Sequence, residues 1–318
     1  MQNTEQNQFY NASNILEISQ HANMMTDWDL SYHQISSGKF KSTLNLLTFD
    51  DIQIYRESFS TSVFQQGEAK KGCLNLGFYL PTLSPILWKG RVLEGKEIIT
   101  IMGGEDIILS TPEGAVCLGL SIPFHHLSEE YKYKSNEKMN HQLILNTGVY
   151  SKLYHLIQAL LSQPLLIATK QPREQLKKEI IDLLEENFLV CHENVKFSSY
   201  KSSSVVNTVI EYVNAHQEQQ LSIADLCRMT NTSRRTLQNC FEQTINISPA
   251  LFLKYLRLNY VRRILAQTTE KVSISTVATY FGFWHLSQFS LDYKRLFSEL
   301  PSDTLRFNRK LMKNSLTV

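Results

Sequence analysis

The chain has 318 residues, and an internal repeat near its C-terminal end constrains the fold more than any other feature. Residues 221–227 (Leu-Ser-Ile-Ala-Asp-Leu-Cys) correspond to residues 272–278 (Val-Ser-Ile-Ser-Thr-Val-Ala), 51 positions later. Ser222 and Ser273 stand where a helix N-cap is expected. The apolar residues directly before each serine and four positions after it have the spacing of a hydrophobic staple. The repeat therefore predicts two helices that begin in the same way.

A tight turn and a second helix follow in each copy of the repeat. Asn231 in the first turn tolerates a left-handed backbone, and Gly282 adopts one freely in the second. Apolar pairs four residues apart predict the buried face of each second helix. These pairs are Leu237 with Phe241, and Phe289 with Tyr293. Two short helices joined by a tight turn form a helix-turn-helix unit, so the sequence predicts two such units in tandem.

The outward side chains of the second helices are suited to DNA. Arg matches the two acceptors of guanine, Asn and Gln match adenine, and Ser, Thr and Lys suit phosphates. The residues expected to bind DNA are Ser233, Arg234, Arg235, Thr236, Gln238 and Asn239 in the first unit, and His285, Ser287, Gln288, Ser290, Lys294 and Arg295 in the second. A predicted helix over 250–266, about 25 Å long, would hold both units near successive major grooves.

The charge distribution agrees with a nucleic-acid partner. Residues 200–318 contain 15 Lys and Arg against 8 Asp and Glu, a net charge of +7, whereas the whole chain carries only +2. A basic segment of this kind favours a polyanionic partner. The alternative, a plain bundle of amphipathic helices, does not require the same start and the same polar face twice.

The repeat region closely resembles the AraC/XylS family of bacterial transcription regulators over about residues 205–308. The resemblance is carried by residues 222–227, 233–241, 247–253, 277–283 and 293–297. Three positions depart from the family pattern: Cys227 replaces an alanine, and Asn246 and Ser298 replace glycines. Residues 282–297 further resemble the subgroup that regulates ethanolamine-utilisation operons.

The resemblance implies a sensing or dimerisation domain before the repeat. It also implies a C-terminal domain that binds promoter DNA and recruits RNA polymerase. These functions suggest a cytoplasmic, effector-responsive activator that acts as a homodimer.

The first half of the chain has a different pattern. Short segments rich in branched and aromatic residues alternate with turns from about residue 28 to residue 123, which is typical of a β-sandwich or barrel. Two amphipathic helices are predicted over 149–190, separated by Pro164 and Pro172. They would mediate dimerisation or, alternatively, only brace the strands. The expected class is α+β, with a β-rich sensor domain over 1–190, a linker over 191–204 and an all-α DNA-binding domain over 205–318.

Aromatic residues in the strand region are candidates for an effector pocket. They are Tyr32, Phe78, Tyr79 and Trp88, for each of which ordinary core packing is the alternative. A regulator whose N-terminal half binds another protein, without a small ligand, is a second hypothesis.

Catalytic and metal-binding signatures are missing from the sequence. It contains no glycine-rich phosphate loop and no GxSxG motif, so we expect neither an enzyme nor an enzyme fused to the DNA-binding module. The histidines lack HxH or HxxxH spacing and the five cysteines form no CxxC pair, so no metal and no cofactor are expected. No apolar run in the sequence is long enough for a membrane span. The first residues show neither the basic nor the apolar part of a signal sequence, so none is expected.

Overall fold

The computed structural model of the chain describes residues 8–95, 97–129, 143–144, 147–167, 169–188, 200–268 and 272–315. Within these ranges the N-terminal part is built mainly from strands and the C-terminal part from helices, which confirms the predicted α+β class. None of the helices in these ranges combines the length and the apolarity that a membrane span requires.

The strands form two antiparallel sheets. In chain order the described elements are β1 (Gln8–Ile15), α1 (Ile18–Met24), β2 (Asp29–Gln34), β3 (Ser42–Phe49), β4 (Ile52–Phe59), β5 (Val63–Glu68), β6 (Cys73–Tyr79), β7 (Ile86–Trp88), β8 (Arg91–Leu93), β9 (Ile98–Met102), β10 (Asp106–Thr111), β11 (Val116–Pro123) and β12 (Leu143–Ile144). One sheet has the order β1-β3-β4-β11-β6-β9-β12, and the other has the order β2-β5-β10-β7-β8.

Both faces of the larger sheet are buried, and successive side chains of each strand point to opposite faces. In β6, Leu74, Leu76 and Phe78 pack against the helices that follow the strands, whereas Tyr79 packs between the two sheets. Strand β11 alternates in the same way, since Leu118 faces the helices and Cys117 faces the other sheet. The two sheets therefore form a sandwich, one of the two predicted alternatives.

Two helices, α2 (Thr147–Ser162) and α3 (Lys170–Phe188), cover the larger sheet. Their apolar residues, among them Leu153, Ile157 and Leu184, belong to the same buried cluster as that sheet. Pro164 lies between the helices as predicted, but Pro172 lies in the first turn of α3, where its missing N–H is tolerated. The helices thus brace the sheet with their apolar faces.

The C-terminal part consists of helices, as expected of the predicted all-α domain. They are α4 (Tyr200–Ala215), α5 (Ile223–Met229), α6 (Arg234–Ile245), α7 (Pro249–Gln267), α8 (Ile274–Tyr280), α9 (Leu286–Phe297) and α10 (Pro301–Ser315). Helix α4 begins inside the segment 191–204 that we predict as a linker, and residues 191–199 lie outside the described residues. The division into domains stays a prediction.

The outer face of the smaller sheet packs on these helices. Ile35, Phe64 and Ile108 are buried in the same apolar cluster as the residues of α4 and α6 to α9. The rings of Phe64 and Phe252 lie edge to face, with their centroids 5.3 Å apart. The molecule consequently has four layers: the helices α2 and α3, the larger sheet, the smaller sheet, and the helices of the repeat region.

Candidate nucleic-acid interface

Helices α5 and α6 form the first helix-turn-helix unit, and side-chain caps define where each begins. The Ser222 hydroxyl accepts a hydrogen bond from the Asp225 N–H, and the Asp225 carboxylate accepts one from the Ser222 N–H at 2.9 Å. Bonds from the Ser222 hydroxyl and N–H lower the pKa of Asp225 to about 2, because they stabilise the carboxylate. Asn231 turns the chain with a φ of +50°. Ser233 then caps α6 by accepting a bond from the Thr236 N–H at 3.1 Å.

Helices α8 and α9 form the second unit, which is capped less well. Ser273 occupies the N-cap of α8, but its hydroxyl bonds the Ser275 hydroxyl at 2.6 Å instead of a backbone N–H. His285, at the N-cap of α9, makes no side-chain capping bond. Gly282 turns the chain with a φ of +84°, and a Cβ there would lie 3.0 Å from the Gln220 side chain. The two copies thus share the position of the cap but not its hydrogen bond.

The second helix of each unit, called here the recognition helix, ends on a left-handed residue. Asn246 follows α6 with a φ of +62°, and Ser298 follows α9 with a φ of +58°. These are the two positions where the related family has glycine. Asn adopts this backbone readily, whereas Ser298 does so at a cost of about 1 kcal/mol.

The predicted DNA-binding residues lie in two groups, one on each recognition helix. Leu237 and Phe241 are fully buried on the inner face of α6, and Phe289 and Tyr293 are buried on the inner face of α9. Ten of the twelve predicted residues are exposed: Ser233, Arg234, Arg235, Thr236, Asn239, His285, Ser287, Gln288, Lys294 and Arg295. The other two are half-buried and bonded within their own helix, Gln238 to the Glu242 carboxylate at 2.6 Å and Ser290 to the Leu286 carbonyl at 2.9 Å. Their contact with DNA stays a prediction.

Three exposed residues near the recognition helices were missed by the sequence reasoning. Leu291 is 61% exposed and Trp284 is 63% exposed, although both are large apolar residues. Glu242 is also exposed, and it places an acid near the C-terminal end of α6, about two turns from Arg234 and Arg235. The repeat itself held the signal for Leu291, because this residue occupies the position of Asn239 in the second copy.

The smaller sheet contacts both recognition helices near their C-terminal ends. The Ser110 hydroxyl donates to the Ile245 carbonyl of α6 at 3.3 Å. The Gly38 N–H and the Gln34 side-chain amide each donate to the Leu296 carbonyl of α9 at 2.9 Å. These contacts leave the N-terminal ends and the polar faces of α6 and α9 uncovered.

Polar side chains of helix α7 also bond to the N-terminal part of the chain. The Asn259 side chain accepts from the Gln34 N–H at 3.0 Å and donates to the Gln34 carbonyl at 2.9 Å. Arg262 donates to Glu17, at 3.1 Å and 2.6 Å, and to Glu299 at 2.9 Å. The N-terminal part of the chain is therefore tied to the helix that joins the two units.

The four candidate effector residues are buried, but they do not lie together. Tyr32, Tyr79 and Trp88 line a cavity between the two sheets with a volume of about 30 Å³. Phe78 faces the other side of the larger sheet, where its ring centroid lies 5.3 Å from that of Tyr150. Phe78 therefore does not belong with the other three, because adjacent residues of a strand point apart.

A buried acid gives this cavity a polar wall. The Glu57 carboxylate accepts hydrogen bonds from the Tyr32 hydroxyl at 3.2 Å and from the Gln65 side chain at 3.4 Å, and it lies 3.0 Å from His21 Nε2. Burial raises the pKa of Tyr32 well above its ordinary value. A cavity of about 30 Å³ holds one water molecule, so a larger ligand would enter only if the side chains moved.

The described residues include histidines, cysteines and acids, the usual metal ligands. No group of three His, Cys, Asp or Glu residues lies close enough there to hold an ion. Cys73, Cys117, Cys227 and Cys240 are free thiols, and Cys191 lies outside the described residues.

Comparison with known proteins identifies relatives of the repeat region and of most of the chain. A family model described as "Helix-turn-helix domain" matches residues 226–306. The "XylDLEGF operon transcriptional activator 3" of Pseudomonas putida is 26% identical over 292 residues, which cover 87% of this chain and 85% of the relative. The "Probable thc operon regulatory protein" of Rhodococcus erythropolis is 30% identical over 103 residues, about a third of each chain.

A solved structure adds a relative of the C-terminal region. The crystal structure of a probable AraC family transcriptional regulator from Rhodopseudomonas palustris is 30% identical. It matches 33% of this chain and 97% of that chain, with a TM-score of 0.31. The family model, these sequence relatives and the two helix-turn-helix units lead to one assignment. The chain belongs to the AraC/XylS family of transcription regulators.

Proposed function

We propose that the chain activates transcription by binding promoter DNA through both helix-turn-helix units, in response to a small effector. The observation that carries the proposal is the pair of recognition helices, whose buried residues repeat at an offset of 52 and whose outer faces are polar and exposed. Helix α7 has 19 residues and is about 28 Å long, which is close to the spacing of successive major grooves.

We assign different roles to different positions of the two helices. Arg235 and Asn239 are two residues before and after the buried Leu237, so both point away from the core and suit base edges. In the second unit we assign base contact to Gln288, which is exposed although it is adjacent to the buried Phe289. Lys294 and Arg295, near the C-terminal end of α9, suit phosphates, which position the protein without specifying sequence.

A binding measurement with the full chain tests these roles. A duplex enriched from a randomised pool supplies the specific site, and an unselected duplex supplies the reference. Gln288→Ala is expected to lose about 1–3 kcal/mol of binding free energy on the selected duplex and little on the reference duplex. Arg234→Ala should show the same pattern if Arg234 reaches a base. Lys294→Ala should weaken both duplexes equally and lower the salt slope by about one. Lys178→Ala, which removes an exposed cation from α3, is the matched control and should change neither.

The cavity beside Tyr32, Tyr79 and Trp88 offers only about 30 Å³, so an effector there would have to displace side chains. The second hypothesis, a regulator whose N-terminal half binds another protein, needs no such cavity. A screen of metabolites by thermal unfolding separates the two, because a ligand that binds the folded state raises the melting temperature. A metabolite that raises the melting temperature of the wild type and of Phe78→Leu, but not that of Tyr79→Leu, would bind in this cavity.

We also propose that the chain is a homodimer that contacts itself near α2 and α3. Leu165 and Leu166, between these helices, are 85% and 50% exposed, whereas the apolar faces of the helices are occupied by the larger sheet. Sedimentation equilibrium of Leu165→Asp should show a monomer if this loop is the contact. An unchanged mass would leave α2 and α3 with the bracing role alone.

Further parts of the proposal rest on the family assignment. We propose that the chain acts in the cytoplasm, recruits RNA polymerase, and is divided into a sensor domain (1–190), a linker (191–204) and a DNA-binding domain (205–318). The likeness of residues 282–297 to regulators of ethanolamine-utilisation operons makes such an operon the proposed target. Genome-wide mapping of the bound sites, followed by transcription in vitro with purified polymerase, tests the target and the activation.

A further inference from the structure

The two recognition helices differ at the centre of their exposed faces. Asn239 follows the buried Leu237 by two residues, and Leu291 follows the buried Phe289 by two residues, so they occupy equivalent positions. At about 100° per residue, each lies about 200° around its helix from the buried residue. One unit therefore presents an amide where the other presents an aliphatic side chain.

Leu291 does not serve the core of the protein. It is 61% exposed and belongs to none of the apolar clusters of the described residues. Its neighbours one turn away, Ser287, Lys294 and Arg295, are polar and exposed as well. An exposed apolar side chain whose neighbours one turn away are polar contributes little to folding, which leaves contact with a partner as its use.

The chemistry of leucine restricts what it can contact on DNA. It has no hydrogen-bonding group, so it binds neither phosphates nor the donors and acceptors of base edges. The 5-methyl group of thymine is the apolar group that base pairs present in the major groove. We infer that Leu291 is a specificity residue of the second unit and that it packs on a thymine methyl group. This inference rests on the proposed function, since α9 must enter the major groove.

The inference makes the binding site asymmetric. Asn239 in the first unit matches the donor and acceptor of adenine, and Leu291 in the second unit matches only the methyl group of thymine. The two halves of the site are then read by different chemistry at the same place. A single chain would consequently bind its site in one orientation.

Replacement of thymine by uracil tests the inference, because it removes the methyl group and nothing else. Each thymine of a duplex selected by the full chain is replaced in turn by deoxyuridine, and the Kd is measured by fluorescence anisotropy. The wild type should bind about fourfold more weakly when one thymine in the half-site of the second unit is replaced, as expected for one buried methyl group. In Leu291→Ala, which is exposed and should fold normally, this ratio should fall to one.

Asn239→Ala is the matched control at the equivalent position. It should weaken binding but keep the thymine-to-uracil ratio of the wild type. If every ratio is the same in Leu291→Ala as in the wild type, the inference is wrong while the proposed function stands, and Leu291 with Trp284 then belongs to a protein-binding surface. If the wild type enriches no sequence from the pool, the proposed function fails and the inference fails with it.

Discussion

The side chain of Asn259 is a sensitive point of the contact between the smaller sheet and the repeat region. It is 5% exposed, and it bonds both the N–H and the carbonyl of Gln34. Asn259→Ala leaves both backbone groups without these partners in a buried place. Each unsatisfied group costs about 1–3 kcal/mol, whereas alanine recovers about 0.5 kcal/mol of helix propensity. We expect a net loss of about 2–5 kcal/mol in the free energy that holds the two parts together.

Two measurements follow this loss. Urea unfolding monitored by circular dichroism reports the change in overall stability. Hydrogen exchange of the Gln34 amide reports the contact itself, because Asn259 is the acceptor of that N–H. Exchange should accelerate at least tenfold, since 1.4 kcal/mol corresponds to a factor of ten.

Asn207→Ala provides a control on the same interface. Its side-chain amide bonds the Asp106 carboxylate at 3.3 Å and the Glu211 carboxylate at 2.8 Å, and both bonds are exposed to water. We expect a change below about 0.5 kcal/mol for this variant. The reasoning is refuted if Asn259→Ala stays within about 0.5 kcal/mol of the wild type and the Gln34 amide exchanges at its original rate.

Three further predictions concern the rest of the chain. His33 is buried, and burial lowers its pKa to about 3, so the unfolded chain binds more protons than the folded chain below pH 6.5. The free energy of unfolding should therefore fall by about 2 kcal/mol between pH 7 and pH 5. Urea titrations of His33→Phe should show no such loss. A Cβ at Gly119 would lie 2.0 Å from a buried tyrosine ring, so Gly119→Ala should lower the free energy of urea unfolding by about 3 kcal/mol. Gly77 lies opposite Gly119 on the neighbouring strand, and a Cβ there would meet nothing within 4 Å. Equal effects of Gly119→Ala and Gly77→Ala would contradict the argument. Ser222→Ala should lower the unfolding free energy by about 1 kcal/mol and Ser273→Ala by less than half of that, because only the first caps a backbone N–H; the opposite order would exclude this explanation.

Local signals explain what the sequence could predict. The caps, turns and apolar pairs of the repeat act over fewer than ten residues, so both helix-turn-helix units were located correctly. The short segments that alternate or are rich in branched and aromatic residues agree with seven observed strands, β2, β3, β4, β6, β9, β10 and β11; they are residues 28–35, 41–46, 51–55, 73–80, 98–101, 107–109 and 115–122. Five strands were not predicted: β1 and β5 have polar or weakly alternating sequences, and β7, β8 and β12 have only two or three residues each. Gln65 in β5, for example, is buried because it bonds Glu57, which no pattern in β5 itself indicates.

Contacts between distant segments explain what the sequence could not predict. Phe64 and Phe252 are almost 190 positions apart, and nothing near either residue indicates that their rings meet. The separation of Phe78 from Tyr79 follows from the alternation of a strand, but which layer lies on each side does not. The small volume of the cavity beside Tyr79 likewise depends on how side chains from several strands fill the space between the sheets.

The burial of Phe64 and Ile108 among the C-terminal helices limits how this regulator can be re-engineered. A chimera that fuses these helices to a foreign sensor would lose the two side chains from its own hydrophobic interior and expose the apolar surface they cover. Transplanting the outward-facing residues of β2, β5 and β10 together with the helices would restore that surface. The part of this protein that can be exchanged as a unit is therefore bounded in space by the smaller sheet. This boundary differs from the one that the order of residues along the chain suggests.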